Sequence, residues 1–203
     1  MPRPIMFMLA GPNGAGKSTL YETVLKPKLA ADVAFINADL IQRDELKDPS
    51  MEASYRAAEI AQQRRLEHLA AGRAFVSEST FSHESKLSLV REAKEAGFSV
   101  ALYHVNVRDA DLSVLRVATR TLEGGHDVPE GKIRERYSRN QALIRQAVIE
   151  ADRAYVYDNS RLNEAPSLAI RLKQGKVVYA SDRVPAWAKD LYAKELEGFA
   201  PGG

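Results

Sequence analysis

The chain has 203 residues, 29 Lys and Arg against 27 Asp and Glu for a formal charge of +2, and 45% apolar residues. That is enough chain to bury one substantial core; the composition argues against disorder, and so small a charge excludes a strongly basic nucleic-acid coat. Zero cysteines exclude disulfides, thiolate zinc sites, iron–sulfur clusters and cysteine nucleophiles, and suit a reducing cytoplasm.

The first predicted strand is Pro4 to Ala10, which runs apolar without alternating, as a central strand covered on both faces does. It is far short of the roughly 20 residues of a spanning helix and leads into a glycine-rich loop instead of a cleavage site, so a soluble cytoplasmic chain with no membrane partner is expected. A second strand follows at Val33–Asn37. Next comes a helix from Met51 to Leu69, with Met51, Tyr55, Ala58, Leu66 and Leu69 on one face and Gly72 as its C-terminal cap. The third strand is Ala74–Ser77, and Leu87, Val90 and Ala93 mark a helix ahead of Gly97. A fourth strand runs from about Phe98 to Val107, and Asp109 can cap a helix carrying Leu112, Leu115 and Ala118. The fifth strand is Ala154–Tyr157. Ser167–Leu172 and Lys176–Ala180 form a hairpin around Gln174-Gly175, and a last helix carries Trp187 and Leu191. Strands alternating with helices predict an α/β fold, a parallel sheet of about five strands flanked by helices, in one domain over residues 1–203.

The strongest signal is Gly11-Pro12-Asn13-Gly14-Ala15-Gly16-Lys17-Ser18-Thr19, a complete G-x-x-x-x-G-K-[ST] between a buried strand and a helix. Glycines let backbone N–H groups turn inward around phosphate oxygens, and the helix N-terminus adds its dipole. Gly11, Asn13, Gly14, Ala15, Gly16, Lys17, Ser18 and Thr19 are therefore the candidate nucleotide-binding residues. Lys17 reaches the β- and γ-phosphates, and the Ser18 hydroxyl takes one position on Mg²⁺. No Asn-Lys-x-Asp guanine reader is present, and Ala74-Phe75-Val76-Ser77-Glu78 is a poor match to the acidic strand of a motor. A small-molecule kinase needs a carboxylate near the acceptor hydroxyl and arginines around the transferred group. This sequence has both.

Ligands of open α/β sheets bind outside the carboxyl ends of the strands. Strand two delivers Asn37-Ala38-Asp39 there, and Asp39 can take the proton of an attacking hydroxyl or simply cap a helix. Strand three delivers Glu78-Ser79-Thr80, with Glu78 placed to hold substrate or support the magnesium shell. Glu59, on the preceding helix, is a further substrate candidate of a kind that ordinarily faces water. Arg116 and Arg120 precede Gly124-Gly125-His126-Asp127-Val128-Pro129, and Lys132, Arg134, Arg136 and Arg139 follow it, the pattern of a lid around residues 120–140. Arg120 and one of Arg134 or Arg136 are the arginines expected to act. After strand five, Asn159 and Arg161 are candidates either for contacts to the adenine or for an Asx-type turn.

Together these motifs resemble the zeta toxin family of P-loop kinases, through Gly11–Thr19, Phe35–Asp39, Glu78-Ser79-Thr80, Gly124–Pro129 and Pro185-Ala186-Trp187. The resemblance implies a nucleotide-kinase-like fold and transfer of the ATP γ-phosphoryl to the 3′-hydroxyl of UDP-N-acetylglucosamine. It implies ATP binding by Lys17 and Ser18, deprotonation by Asp39, substrate contact by Glu78 and Thr80, and phosphate contact by Arg120 and Arg134. It also brings in an antitoxin protein as partner. Where the toxins tend to carry Thr-Leu-Arg this chain has Thr80-Phe81-Ser82, and it is shorter than they are. Two alternatives therefore stay open: a kinase of this fold acting on another acceptor, and an ATP-binding switch without transfer. Scarce aromatics speak against a nucleic-acid substrate.

Overall fold

The computed structural model describes residues 3–122 and 128–199. In chain order it contains β1 (Ile5–Ala10), α1 (Lys17–Leu20), β2 (Ala34–Ile36), α2 (Ala38–Leu40), α3 (Met51–Ala70), β3 (Phe75–Ser79), α4 (Ser85–Glu95) and β4 (Ser99–Asn106). These are followed by α5 (Ala110–Leu122), α6 (Glu130–Glu150), β5 (Arg153–Asp158), β6 (Ser167–Lys173), β7 (Lys176–Ala180), α7 (Ala186–Leu191) and α8 (Ala193–Glu197). α1 continues into a π-helical turn at Tyr21–Leu25, and α2 into another at Ile41–Leu46. No helix among the described residues is long and apolar enough to cross a membrane.

One seven-stranded sheet has the order β2-β3-β1-β4-β5-β6-β7. The first five strands of that order are parallel, as the strand–helix alternation requires. The hairpin is not separate: β6 pairs antiparallel with β5 and carries β7 on its outer side. Its turn residues Gln174 and Gly175 both have positive φ, 48° and 73°, the geometry that matches the twist of a two-residue hairpin. β1 lies in the middle of the five parallel strands, with Met6, Met8 and Ala10 in the larger core layer and Leu9 in the layer on the opposite face. Burial on both faces is why its sequence does not alternate.

Helix α3 corrects one expectation. Met51, Tyr55 and Leu66 are 60%, 69% and 48% exposed, and the buried positions are Ala53, Ala57, Ala61 and Arg65. The alanines recur every fourth residue and form a smooth ridge that lets the helix lie close to the sheet, while Ile60 and Leu69 pack at its margin and Met51, Tyr55 and Leu66 face outward. In α5 Leu112 is buried as expected, but Leu115 and Ala118 are exposed, and Ser113 and Val117 take the inner face with Leu112. The other signals hold. Asp109 accepts from the Leu112 N–H at 2.8 Å, and Gly72 ends α3 with a φ of 61°.

The C-terminal helices are fixed to the sheet by polar contacts. His104 of β4 is fully buried, and its Nδ1 shares a 2.7 Å hydrogen bond with the Tyr192 hydroxyl, while its Nε2 has no partner. Burial pushes the imidazole down to about 3. Tyr192→Phe should therefore leave the ring without its partner and cost about 1–3 kcal/mol, read as a shift in the denaturation midpoint. Protonation favours the unfolded chain here, so the neutral-ring contribution is complete above about 6.5 and is lost progressively as pH falls towards 3. Denaturation curves of the protein and of His104→Gln, compared from pH 7 to pH 4, should converge as pH falls.

Candidate active site

The phosphate loop leaves the carboxyl end of β1 at the centre of the sheet and opens α1, with Gly14 and Gly16 at φ 72° and 88°. Its glycines are set by neighbours as well as by dihedrals. A Cβ at Gly11 would lie 2.1 Å from the Val105 carbonyl oxygen, one at Gly14 would lie 2.6 Å from the Ser113 carbonyl oxygen, and one at Gly16 would lie 2.1 Å from Nδ2 of Asn159. The loop is thus pressed against β4, α5 and the segment after β5. Ala15 between them is fully buried.

Lys17 opens α1 and is 7% exposed. Its ammonium donates to the Pro12 carbonyl at 3.1 Å and lies 3.8 Å from Glu78 Oε1. Burial lowers the Lys17 pKa, while Glu78 and then Asp39 draw it back up and Arg120 lowers it further. Glu78 shows the converse: burial raises its pKa, Lys17 opposes the rise, and Asp39 adds to it. The Ser18 hydroxyl donates to Glu78 Oε2 at 3.3 Å. β3 runs two residues further than the sequence indicates, so Glu78 sits in the strand opposite Leu9 of β1 and its carboxylate reaches back under the loop.

Asn37, part of the strand-end motif but without an expected role of its own, organises the next element. Its Oδ1 accepts from the backbone N–H of Asp39 at 2.8 Å and of Leu40 at 3.3 Å, so Asn37 is the cap and Asp39 is exposed in the first turn of α2. An Asn cap leaves the Asp39 carboxylate available, and Asp39 lies within electrostatic reach of both Lys17 and Glu78.

The arginines divide. Arg136 of α6 donates to Asn13 Oδ1 of the loop at 3.4 Å, and Arg120 at the end of α5 is close enough to act on Lys17. Arg134 is instead held at the surface by Asp111 at 2.6 Å and Glu130 at 2.8 Å. Gly124, Gly125, His126 and Asp127 lie outside the described residues. Glu59 is exposed on α3. Thr80 pairs its hydroxyl with that of Ser82 at 3.3 Å, and its carbonyl accepts from Asn140 Nδ2 of α6 at 2.6 Å. Asn159 spends its amide on the Ala15 carbonyl, 2.9 Å away, and Arg161 is exposed and pairs with Glu164. Ser18 and Thr19 are exposed at the start of α1. Asn140 carries no motif, and Asn37 belongs to one without an assigned role; their buried polar atoms, visible after folding, set them apart.

A glycine-rich phosphate loop at the carboxyl end of the central strand of a mostly parallel sheet defines a P-loop protein with the architecture of the small kinases. The chain belongs to the zeta toxin family, whose sequence model matches residues 1–169. An uncharacterized protein of Haemophilus influenzae is 29% identical over 136 residues, 63% of this chain and 88% of that protein. Among solved structures, the AvrRxo1-ORF1:-ORF2 complex with ATP superposes with a TM-score of 0.66 at 17% identity, covering 99% of this chain and 66% of that one. This chain thus spans about two thirds of the length of that relative. The PezAT toxin–antitoxin system of Streptococcus pneumoniae gives a TM-score of 0.65 at 15% identity over 97% of this chain and 85% of that one. At such identities these likenesses show the fold.

Gly11→Ala should be costly, because the clashing Val105 carbonyl belongs to the main chain and cannot turn aside. A loss of about 1–3 kcal/mol in denaturant unfolding is expected.

Proposed function

We propose that the protein is an ATP-dependent phosphotransferase whose first acceptor is the 3′-hydroxyl of UDP-N-acetylglucosamine. The observation that carries the reading is the gathering of Lys17, Ser18, Glu78 and Asp39 within electrostatic reach of one another beside a preformed phosphate loop. The family supports the acceptor. In this reading residues 1–203 are one kinase domain, and the segment around 120–140 is its lid.

The loop N–H groups and Lys17 hold the β- and γ-phosphates. The Ser18 hydroxyl beside the Glu78 carboxylate is a hard-oxygen donor set that fits Mg²⁺, and the residues that would hold the ion are these two together with the phosphates. When bound, Mg²⁺ neutralises phosphate charge. Asp39 accepts the proton of the acceptor hydroxyl as its oxygen forms a bond to the γ-phosphorus. The bond from that phosphorus to the β–γ bridging oxygen breaks, and ADP leaves with the electron pair. Arg120 and Arg136 are positioned for the charge on the equatorial oxygens. Arg134 is a weaker candidate, since two carboxylates already hold it. Family resemblance assigns Glu78 and Thr80 a contact with the acceptor as well. The reading also places the reaction in the cytoplasm and gives the protein an antitoxin partner, supported by the family and by the toxin–antitoxin character of the PezAT system.

One observation favours a second reading, a kinase acting on another acceptor. Where the toxins tend to carry leucine and arginine, Phe81 is fully buried with a φ of 56° and Ser82 offers a hydroxyl in place of a cation. A neutral polyol suits that turn as well as a nucleotide sugar does.

Incubation with ATP, Mg²⁺ and UDP-N-acetylglucosamine, followed by mass analysis, should yield a product heavier by one phosphoryl group. Lys17→Ala and Asp39→Ala should each lower the rate about 100-fold or more without unfolding the protein. Unmodified UDP-N-acetylglucosamine, with ATP consumed only when another hydroxyl compound is added, would establish the second reading. Arg136→Ala should reduce the rate about tenfold or more and Arg134→Ala only a few-fold, because Arg136 alone of the two reaches the loop.

A further inference from the structure

We infer that Asn159 is a positioning residue of the phosphate loop, locked in place from behind by Trp187, rather than a reader of the nucleotide base. The inference rests on the reading that this loop binds a polyphosphate.

Asn159 is 8% exposed, and its backbone N–H and its side-chain amide nitrogen each donate a hydrogen bond inside the protein. Its backbone N–H donates to the Asn106 carbonyl at the end of β4 at 2.8 Å, and its Nδ2 donates to the Ala15 carbonyl at 2.9 Å. The Ala15 carbonyl belongs to the peptide whose N–H is that of Gly16, so this bond fixes the plane of a peptide in the cradle itself. Gly16 completes the fit. The amide occupies the space a Cβ would need, which gives the third glycine of the motif a second reason to be glycine, beyond its φ of 88°.

The preceding residue anchors this brace to the C-terminal part of the chain. Asp158 Oδ1 accepts from the indole Nε1 of Trp187 at 2.8 Å and from the Ser160 hydroxyl. Trp187 packs edge-on against the buried His104 ring, 5.3 Å between centroids. A continuous path of two hydrogen bonds and one peptide link therefore joins α7 to the phosphate loop. Trp187 is the protein's single tryptophan, so its emission reports on that path.

The probe that separates positioning from base recognition is inorganic tripolyphosphate, which has the charge but no base. In titration calorimetry of the full chain, Asn159→Ala should weaken tripolyphosphate and ATP by the same factor, about tenfold. Trp187 emission in the unaltered protein should change on saturation with tripolyphosphate. An unchanged tripolyphosphate affinity in Asn159→Ala, with only ATP weakened, would overturn the inference and make Asn159 a base contact. Absence of any emission change in the unaltered protein would overturn the link to Trp187, and this measurement does not require the variant to fold. If the unaltered protein bound neither ATP nor tripolyphosphate, the parent reading would fall, and this inference with it.

Discussion

The site depends on close approach between main chains. A phosphate cradle must present bare N–H groups, so the loop cannot be supported by its own side chains and must be held from outside. Here three different elements hold it, each touching a different glycine: a strand end at Gly11, a helix at Gly14 and a buried amide at Gly16. Glycine is required at these places because a neighbour occupies the space of the missing side chain. Much of the architecture around the sheet centre follows, since β4 and β5 must end, and α5 must begin, within reach of the same nine residues.

The electrostatics follow from that burial. Lys17 and Glu78 lose water together, and each moderates the other's tendency to become neutral. A strand position gives Glu78 a fixed backbone, so the carboxylate lies beside the Ser18 hydroxyl before any ligand arrives. Asp39 differs in kind. It stands on a short helical turn, exposed, with its backbone N–H bonded to the Asn37 side chain, so its carboxylate is open to solvent.

Most of the fold was legible because its signals are local. The unbroken apolar run of β1, the glycine spacing and the Gln174-Gly175 turn each encode their own geometry. The phosphate loop was legible for the same reason. What escaped depends on partners distant in sequence. The buried face of α3 is a line of alanines, which hydrophobicity undervalues beside Met51 and Tyr55. Arg134 and Arg136 look alike in sequence and differ only in whether a carboxylate or the loop lies opposite. The role of Asn159 depends on Ala15, which lies 144 positions earlier.

Helix α6 reaches both halves of the site. Arg136 touches the phosphate loop at Asn13, and Asn140, one turn later, donates to the Thr80 carbonyl in the turn after β3. The offset between the two loops is therefore measured in units of helical pitch, about 5.4 Å. α6 acts as a gauge block between the phosphate loop and the turn after β3. Inserting or deleting one residue between these positions would rotate one contact about 100° away from the other, so the separation of the two loops is encoded as an integer number of residues.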